Sequence, residues 1–267
     1  MTNLLRVALA QVETTSDPAQ NQDKAGACAR QAASRGADLL VLPEMFMGAP
    51  GPDLPPAEIA NRDGGRFWES MGRLAKVTGI HIAAGGWEAI PGEQRVYNTV
   101  ITFSPQGERV AAYRKIHLFD ALSVRESDTM APGDDLPPVV AINGVRVGFA
   151  ICYDLRFPEF FRYLAQADAQ LIVIPSAWYQ GPVKETHWLT LLQARAIENT
   201  LYVAGCNLVG PSFCGRSAIF DPFGIPIAAA GEVENLVVGE IDVERIAAVR
   251  QKLPALGHRR MKDGLKL

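Results

Sequence analysis

The sequence predicts an α/β domain built in layers, on three observations. Its strand-like segments are mostly continuous apolar runs, and several of them alternate with helical segments. Apolar runs that lack polar alternation belong to strands covered on both faces, as when helices pack over a sheet. The chain has 267 residues and is 48% hydrophobic, which suits one large domain spanning residues 1–267, although length alone would also allow two.

Taken in order, residues 5–11 read as a short apolar strand. Residues 21–35 are Ala-rich and read as a helix that Gly36 stops. Residues 39–42 form a second buried strand, followed at once by Pro43 and Glu44. The Gly- and Pro-rich stretch 48–56 is loop, and 66–76 is helical. Strand-like runs follow at 80–87, 97–103 and 109–113, with the turn Ser104-Pro105-Gln106-Gly107 between the last two. A long polar stretch occupies 120–138. Runs 139–142 and 145–152 then flank Asn143-Gly144, a strong two-residue hairpin signal. Residues 158–166 read as a helix, 171–175 as a buried strand, 186–199 as a longer helix and 201–207 as a strand. Residues 217–241 hold further strands joined by Pro and Gly turns, and Asp242 caps a last helix reaching about Leu253. The polar tail 257–267 has no core pattern.

Composition narrows the function. Net charge is −3 and no basic stripe stands out, so a nucleic-acid partner is not expected. No apolar run approaches the ~20 residues needed to span a bilayer, and the N-terminal apolar run is too short for a signal peptide. The four cysteines, Cys28, Cys152, Cys206 and Cys214, are too sparse for a disulfide scaffold. None forms a C-x-x-C pair, so no metal is expected. The expectation is a cytoplasmic protein with reduced thiols.

Three reactive residues share one placement. Glu44 ends LLVLPE, Lys115 ends VAAYRK and Cys152 ends VRVGFAIC, each just past the C-terminal end of an apolar strand. That edge of an α/β sheet is where ligands bind. The three groups suffice for acyl transfer: a carboxylate to take the thiol proton, a thiolate to attack, and an ammonium to stabilise an oxyanion. Singly, each has a plainer reading, as a small buried hydrophobe, a solvated strand end or a surface lysine.

At these residues the chain resembles the nitrilase superfamily of carbon–nitrogen hydrolases. The matching segments are LVLPEMF, YRKIHLFD and ICYDLRFPEFFR, with further support from LIVIPSAW and HWLTLLQARAIENTLYVAGCN. The resemblance implies a four-layer αββα sandwich and a catalytic trio of Glu44, Lys115 and Cys152. A second catalytic glutamate falls, more loosely, on Glu126. It implies no cofactor, an oxyanion site formed by Lys115 and the backbone N–H of Tyr153, and assembly into homodimers or larger oligomers, with the tail after Gly257 against the partner. Tyr153-Asp154 after the nucleophile is similar to the amidase branch that contains ω-amidase and deaminated-glutathione amidase, so a small linear amide is the expected substrate.

Arg156 is a candidate for a substrate carboxylate, its alternative being an ion pair with Glu159. Trp178 is a candidate pocket wall. His117 and His187 are read as structural, Arg195 and Glu198 as a helical pair, and Cys206 and Cys214 match no catalytic position. Two other functions stay open: nitrile or N-carbamoyl hydrolysis, and a non-catalytic binding protein on the same fold.

Overall fold

Alternation within β1 (Leu4–Gln11) divides the interior in two. Leu5, Val7 and Leu9 enter one apolar core while Ala8 and Ala10 enter another, because successive strand side chains point to opposite faces. Both faces are covered, which is why the segment reads as a continuous apolar run. The computed structural model describes residues 4–51 and 53–260 of the chain.

From β1 the chain passes through α1 (Pro18–Ser34), β2 (Leu39–Val41), α2 (Pro56–Thr78) and β3 (His81–Ala89), and the three strands pair in parallel. β4 (Val96–Phe103) and β5 (Arg109–Arg114) extend the sheet antiparallel. The polar stretch that follows holds a small hairpin of β6 (Asp120–Ala121) and β7 (Val124–Arg125) and a 3₁₀ turn over Glu126–Asp128. A second sheet then begins with the hairpin of β8 (Val139–Ile142) and β9 (Val145–Phe149). β9, β10 (Leu171–Ser176) and β11 (Tyr202–Asn207) are parallel, joined through α3 (Pro158–Gln166) and α4 (Lys184–Asn199). After the short ladder of β12 (Val209–Gly210) and β13 (Phe213–Cys214), β14 (Ala218–Phe220) and β15 (Pro226–Ala229) complete this sheet. β16 (Asn235–Asp242) returns to pair with β1, and α5 (Val243–Lys252) ends the order.

The strand orders are β16-β1-β2-β3-β4-β5 and β15-β14-β11-β10-β9-β8. Each sheet therefore contains one βαβαβ unit whose strands are added in a single direction. Right-handed crossovers place both helices of such a unit on the same face. That leaves each sheet with one bare apolar face, and the two bare faces pack together. The result is a four-layer αββα sandwich: α1 and α2, two six-stranded sheets, then α3 and α4. Leu5, Val7 and Leu39 share the inner core with Val147 and Phe149, and that core continues to Phe161, Trp188 and Leu192. Ala8, Leu40 and Ile82 pack instead with Ala25 and Ala29 of α1 and with Phe67 and Met71 of α2.

Three boundaries differ from the sequence reading. The helix expected at 66–76 is the second half of α2, which starts at Pro56. Gly64 and Gly65 weaken its first half by roughly 1 kcal/mol each, but burial of Ile59, Ala60 and Phe67 overrides that propensity. The strand expected over 145–152 stops at Phe149, and a 3₁₀ turn over Cys152–Arg156 takes its place. The stretch at 120–138 is partly ordered by β6, β7 and the turn at Glu126. Residues 261–267, most of the tail expected at a subunit interface, lie outside the described residues.

The fold positions the site through strand direction. β5 is two antiparallel steps from β3 and so points the same way. The segments after β2, β5, β9 and β10 leave their sheets at one edge, carrying Glu44, Lys115, Cys152 and Ala177. Gly85 on β3 lets the Glu44 segment lie close, since a Cβ there would stand 2.3 Å from the carbonyl oxygen of Pro43 and 2.8 Å from Cα of Glu44.

Candidate active site

Lys115 is fully buried, and an ammonium without counter-charge is not stable there. Its Nζ lies 2.9 Å from Oε1 of Glu44 and 2.9 Å from each carboxylate oxygen of Glu126. Burial works against the charge, but the two carboxylates outweigh it and raise the Lys115 pKa well above the ordinary lysine value. Lysine therefore stays charged through the neutral range. Glu126 is held in turn by the backbone N–H of Phe119, which donates to Oε2 at 2.7 Å. Burial raises the Glu126 pKa, with Lys115 opposing and Glu44 reinforcing.

Glu44 is almost completely buried and has its acceptors committed. Oε1 accepts from Asn98 Nδ2 at 2.7 Å as well as from Lys115, and Oε2 accepts from the backbone N–H of Ala177 at 2.7 Å. Ala177 and Cys152 line the same pocket, so the peptide that holds the carboxylate lies on the same site as the thiol. Asn98 and Ala177 were missed by sequence reasoning. An amide side chain inside the apolar run of β4 was a usable signal for Asn98, whereas a backbone donor leaves none.

Cys152 is buried and sits at φ +43°, a left-handed conformation that disfavours any residue except glycine. Such strain persists where the surroundings over-determine the backbone, and it clusters at functional sites. Here it turns the chain from β9 into the 3₁₀ turn and presents the thiol at the sheet edge. Burial, then Glu44, pushes the Cys152 pKa well above the ordinary thiol value, with Lys115 opposing. The thiol is thus protonated at rest, and a thiol in that state can act as a nucleophile only by giving its proton to a base.

The pocket over this cluster is lined by Glu44, Glu126 and Cys152 together with Phe119, Tyr153, Trp178 and Tyr179. Arg156 and Lys184 also line it. The Arg156 guanidinium lies 4.6 Å from the Trp178 ring centroid, and Lys184 Nζ lies 5.0 Å from that centroid and 5.2 Å from that of Phe119. Among the described residues no carboxylate is within ion-pair distance of either cation. The Arg156–Glu159 pair weighed from the sequence is not formed, because Trp178 and the pocket occupy the guanidinium. Lys184 was not foreseen, since nothing distinguishes it within the polar segment at the start of α4. His117 is tied to Asp154 and His187 is exposed. Arg195 does pair with Glu198 at 3.0 Å, and it also donates to the Leu155 carbonyl from Nε and Nη2. Cys206 is buried, with Sγ 3.2 Å from the carbonyl oxygen of Val41 in the opposite sheet, and Cys214 lies beside Asn207.

The sequence profile described as carbon-nitrogen hydrolase matches residues 6–251, nearly the whole chain. The chain belongs to the carbon–nitrogen hydrolase family. It is 36% identical to the deaminated glutathione amidase of Escherichia coli O157:H7 over 264 residues, covering 95% of this chain and 97% of that one. It is 35% identical to omega-amidase NIT2 of Homo sapiens over 269 residues, covering 96% and 95%. A solved structure of a variant of the amidase from Nesterenkonia sp. AN1 shows the product of Michael addition of acrylamide at its active-site cysteine. It superposes with a TM-score of 0.82 at 28% identity, covering 95% of this chain and 99% of that one. The chain is a hydrolase of non-peptide carbon–nitrogen bonds, of the amidase kind.

Lys115→Met tests the electrostatics of the cluster. It removes the ammonium and leaves two carboxylates crowded in a buried site, so stability at about pH 8 should fall by roughly 3–5 kcal/mol. Crowded carboxylates hold protons more tightly when folded than when unfolded. Their contribution is then fully present below the unfolded glutamate pKa and is lost as pH rises through the folded one. The variant should therefore regain stability as pH is lowered from about 8 towards 5. Denaturant midpoints read this directly; a wild-type midpoint and pH trend would contradict it.

Proposed function

We propose that the chain is one catalytic domain that hydrolyses a small linear amide, bearing an acidic group, to the acid and ammonia. Glu44, Lys115 and Cys152 carry the reaction, with Glu126 holding Lys115. The observation that supports this most directly is the buried cluster in which Lys115 lies 2.9 Å from both Glu44 and Glu126, with Cys152 lining the same pocket as the two carboxylates.

In the proposed sequence, Glu44 takes the Cys152 proton as sulfur attacks the amide carbon. The carbonyl π pair moves onto oxygen, and the oxyanion is stabilised by Lys115 and the backbone N–H of Tyr153. Collapse of the tetrahedral intermediate breaks the C–N bond, and nitrogen leaves as ammonia with the proton from Glu44. Water then gives a proton to Glu44 and attacks the thioester, and the acid and the free thiol are released. Splitting one hard step into two is the gain of covalent catalysis, and positioned acid–base help is worth roughly 10²–10⁴-fold. The lysine ammonium suits an oxyanion, which favours amides over nitriles, whose attack yields a nitrogen centre that must be protonated.

The acidic group is assigned to Arg156 and Lys184, two cations on the pocket wall without a carboxylate partner among the described residues. An Arg–carboxylate contact is charge-assisted and often bidentate. With Tyr153 and Trp178 as pocket walls, the substrate's amide lies at Cys152 and its acid end at Arg156. The relatives named as deaminated glutathione and omega amidases support the amidase reading. We also place the enzyme in the cytoplasm as a homodimer or larger homo-oligomer, on family resemblance and on four free cysteines.

The functional test compares kcat/KM for a dicarboxylate monoamide, a plain amide of equal length and the matching nitrile. The monoamide should lead, and Arg156→Ala should reduce it selectively by roughly 10- to 150-fold, equivalent to about 1.5–3 kcal/mol. A preferred plain amide, or an equal loss on all substrates, removes the acid subsite; a preferred nitrile overturns the amidase assignment. Light scattering at micromolar concentration should give at least the dimer mass, and a monomer mass refutes the assembly.

A further inference from the structure

Asp154 follows the nucleophile by two residues, is completely buried, and touches none of the groups assigned to the reaction. Its carboxylate collects four donors. Oδ2 accepts from the Tyr113 hydroxyl at 2.8 Å and from the Ile151 backbone N–H at 2.9 Å. Oδ1 accepts from His117 Nδ1 at 2.7 Å and from the His117 backbone N–H at 3.3 Å. Four donors match the acceptor capacity of one carboxylate.

The placement of those donors is the informative part. Tyr113 and His117 stand two residues before and two residues after Lys115, while Ile151 and Asp154 bracket Cys152. One carboxylate thus ties the backbone on both sides of the lysine to the backbone on both sides of the cysteine. The two segments come from different sheets, and no direct hydrogen bond joins Lys115 to Cys152. The donors are fixed in turn: the His117 ring stacks on Phe157 at 3.7 Å and 9°, and Tyr113 packs against Phe160 at 5.7 Å. The Tyr113 hydroxyl also accepts from the Ile116 N–H at 3.2 Å. Burial and then the Asp154 charge keep the Tyr113 hydroxyl protonated well above its usual pKa, so it remains a donor.

We infer that Asp154 is a positioning residue that sets the distance between the Lys115 ammonium and the Cys152 thiol by clasping Tyr113 and His117 to the nucleophile turn. The inference rests on the reading of Lys115 and Cys152 as catalytic. A clasp of this kind acts on the transition state more than on substrate binding, because the acid end of the substrate is held elsewhere, at Arg156. Asn in its place keeps the shape but turns one acceptor into a donor, facing either Tyr113 and Ile151 or His117.

The test measures kcat, KM and thermal midpoint for Asp154→Asn and Tyr113→Phe, assayed well below every midpoint, with Cys152→Ala as control. Asp154→Asn should lower kcat by roughly 10- to 100-fold with KM near wild type, since a misplacement of about 1 Å can reduce rate about 100-fold. Tyr113→Phe removes one of the four donors and should lower kcat less, again with KM preserved; it carries the test alone if Asp154→Asn does not fold. Wild-type kcat in the folded variants, or a loss carried by KM, overturns the inference. Retained turnover in Cys152→Ala would instead overturn the functional reading beneath it.

Discussion

A single buried ammonium organises this protein. Lys115 has no exposed surface, and a charge in that position persists only when opposite charges and hydrogen bonds compensate for lost water. Glu44 from the end of β2 and Glu126 from beyond β7 supply them, so three separate stretches of chain must meet at one point. The compensation is more than neutralising, because two carboxylates face one ammonium. Burial first, and then the excess negative charge, keep the neighbouring thiol protonated; in the proposed reaction Glu44 takes its proton.

That meeting point depends on how the layers are stacked. Each sheet has its crossover helices on one face, so the bare faces must pack together, and the carboxyl ends of β2 and β5 then lie beside those of β9 and β10. In the proposed reaction the sheets supply different parts of the chemistry: acid–base and electrostatic groups come from the first, the nucleophile and the Ala177 amide from the second. Side chains that link the sheets near this edge are correspondingly buried, as with Tyr113 against Asp154 and Cys206 against the Val41 carbonyl.

Much of this was legible in the sequence because the informative residues end apolar strands. Glu44, Lys115 and Cys152 each close a run whose hydrophobicity marks it as sheet, and the layered α/β class follows from those same runs. The pairing of the bare sheet faces did not follow, since periodicity says that a strand is buried on both sides but not what covers it; family resemblance supplied the αββα order. Glu126 lies in a polar stretch with no period to place it. Lys184 and Arg156 meet over Trp178 only in three dimensions. The predicted strand overran to Cys152 because apolar composition continues through Ala150 and Ile151, whereas a positive φ at Cys152 turns the chain out of line. Half of α2 was hidden by Gly64 and Gly65, whose weak propensity is overridden by burial on one face.

The claim on which everything else turns is that this edge presents Cys152 as the attacking group. Rapid acid quench of the enzyme with a dicarboxylate monoamide, followed by peptide mass mapping, tests it most directly. The account predicts an acyl adduct, of the mass of the substrate less ammonia, on the peptide containing Cys152. An adduct on Cys206 or Cys214, or turnover with no covalent adduct at any quench time, would contradict it.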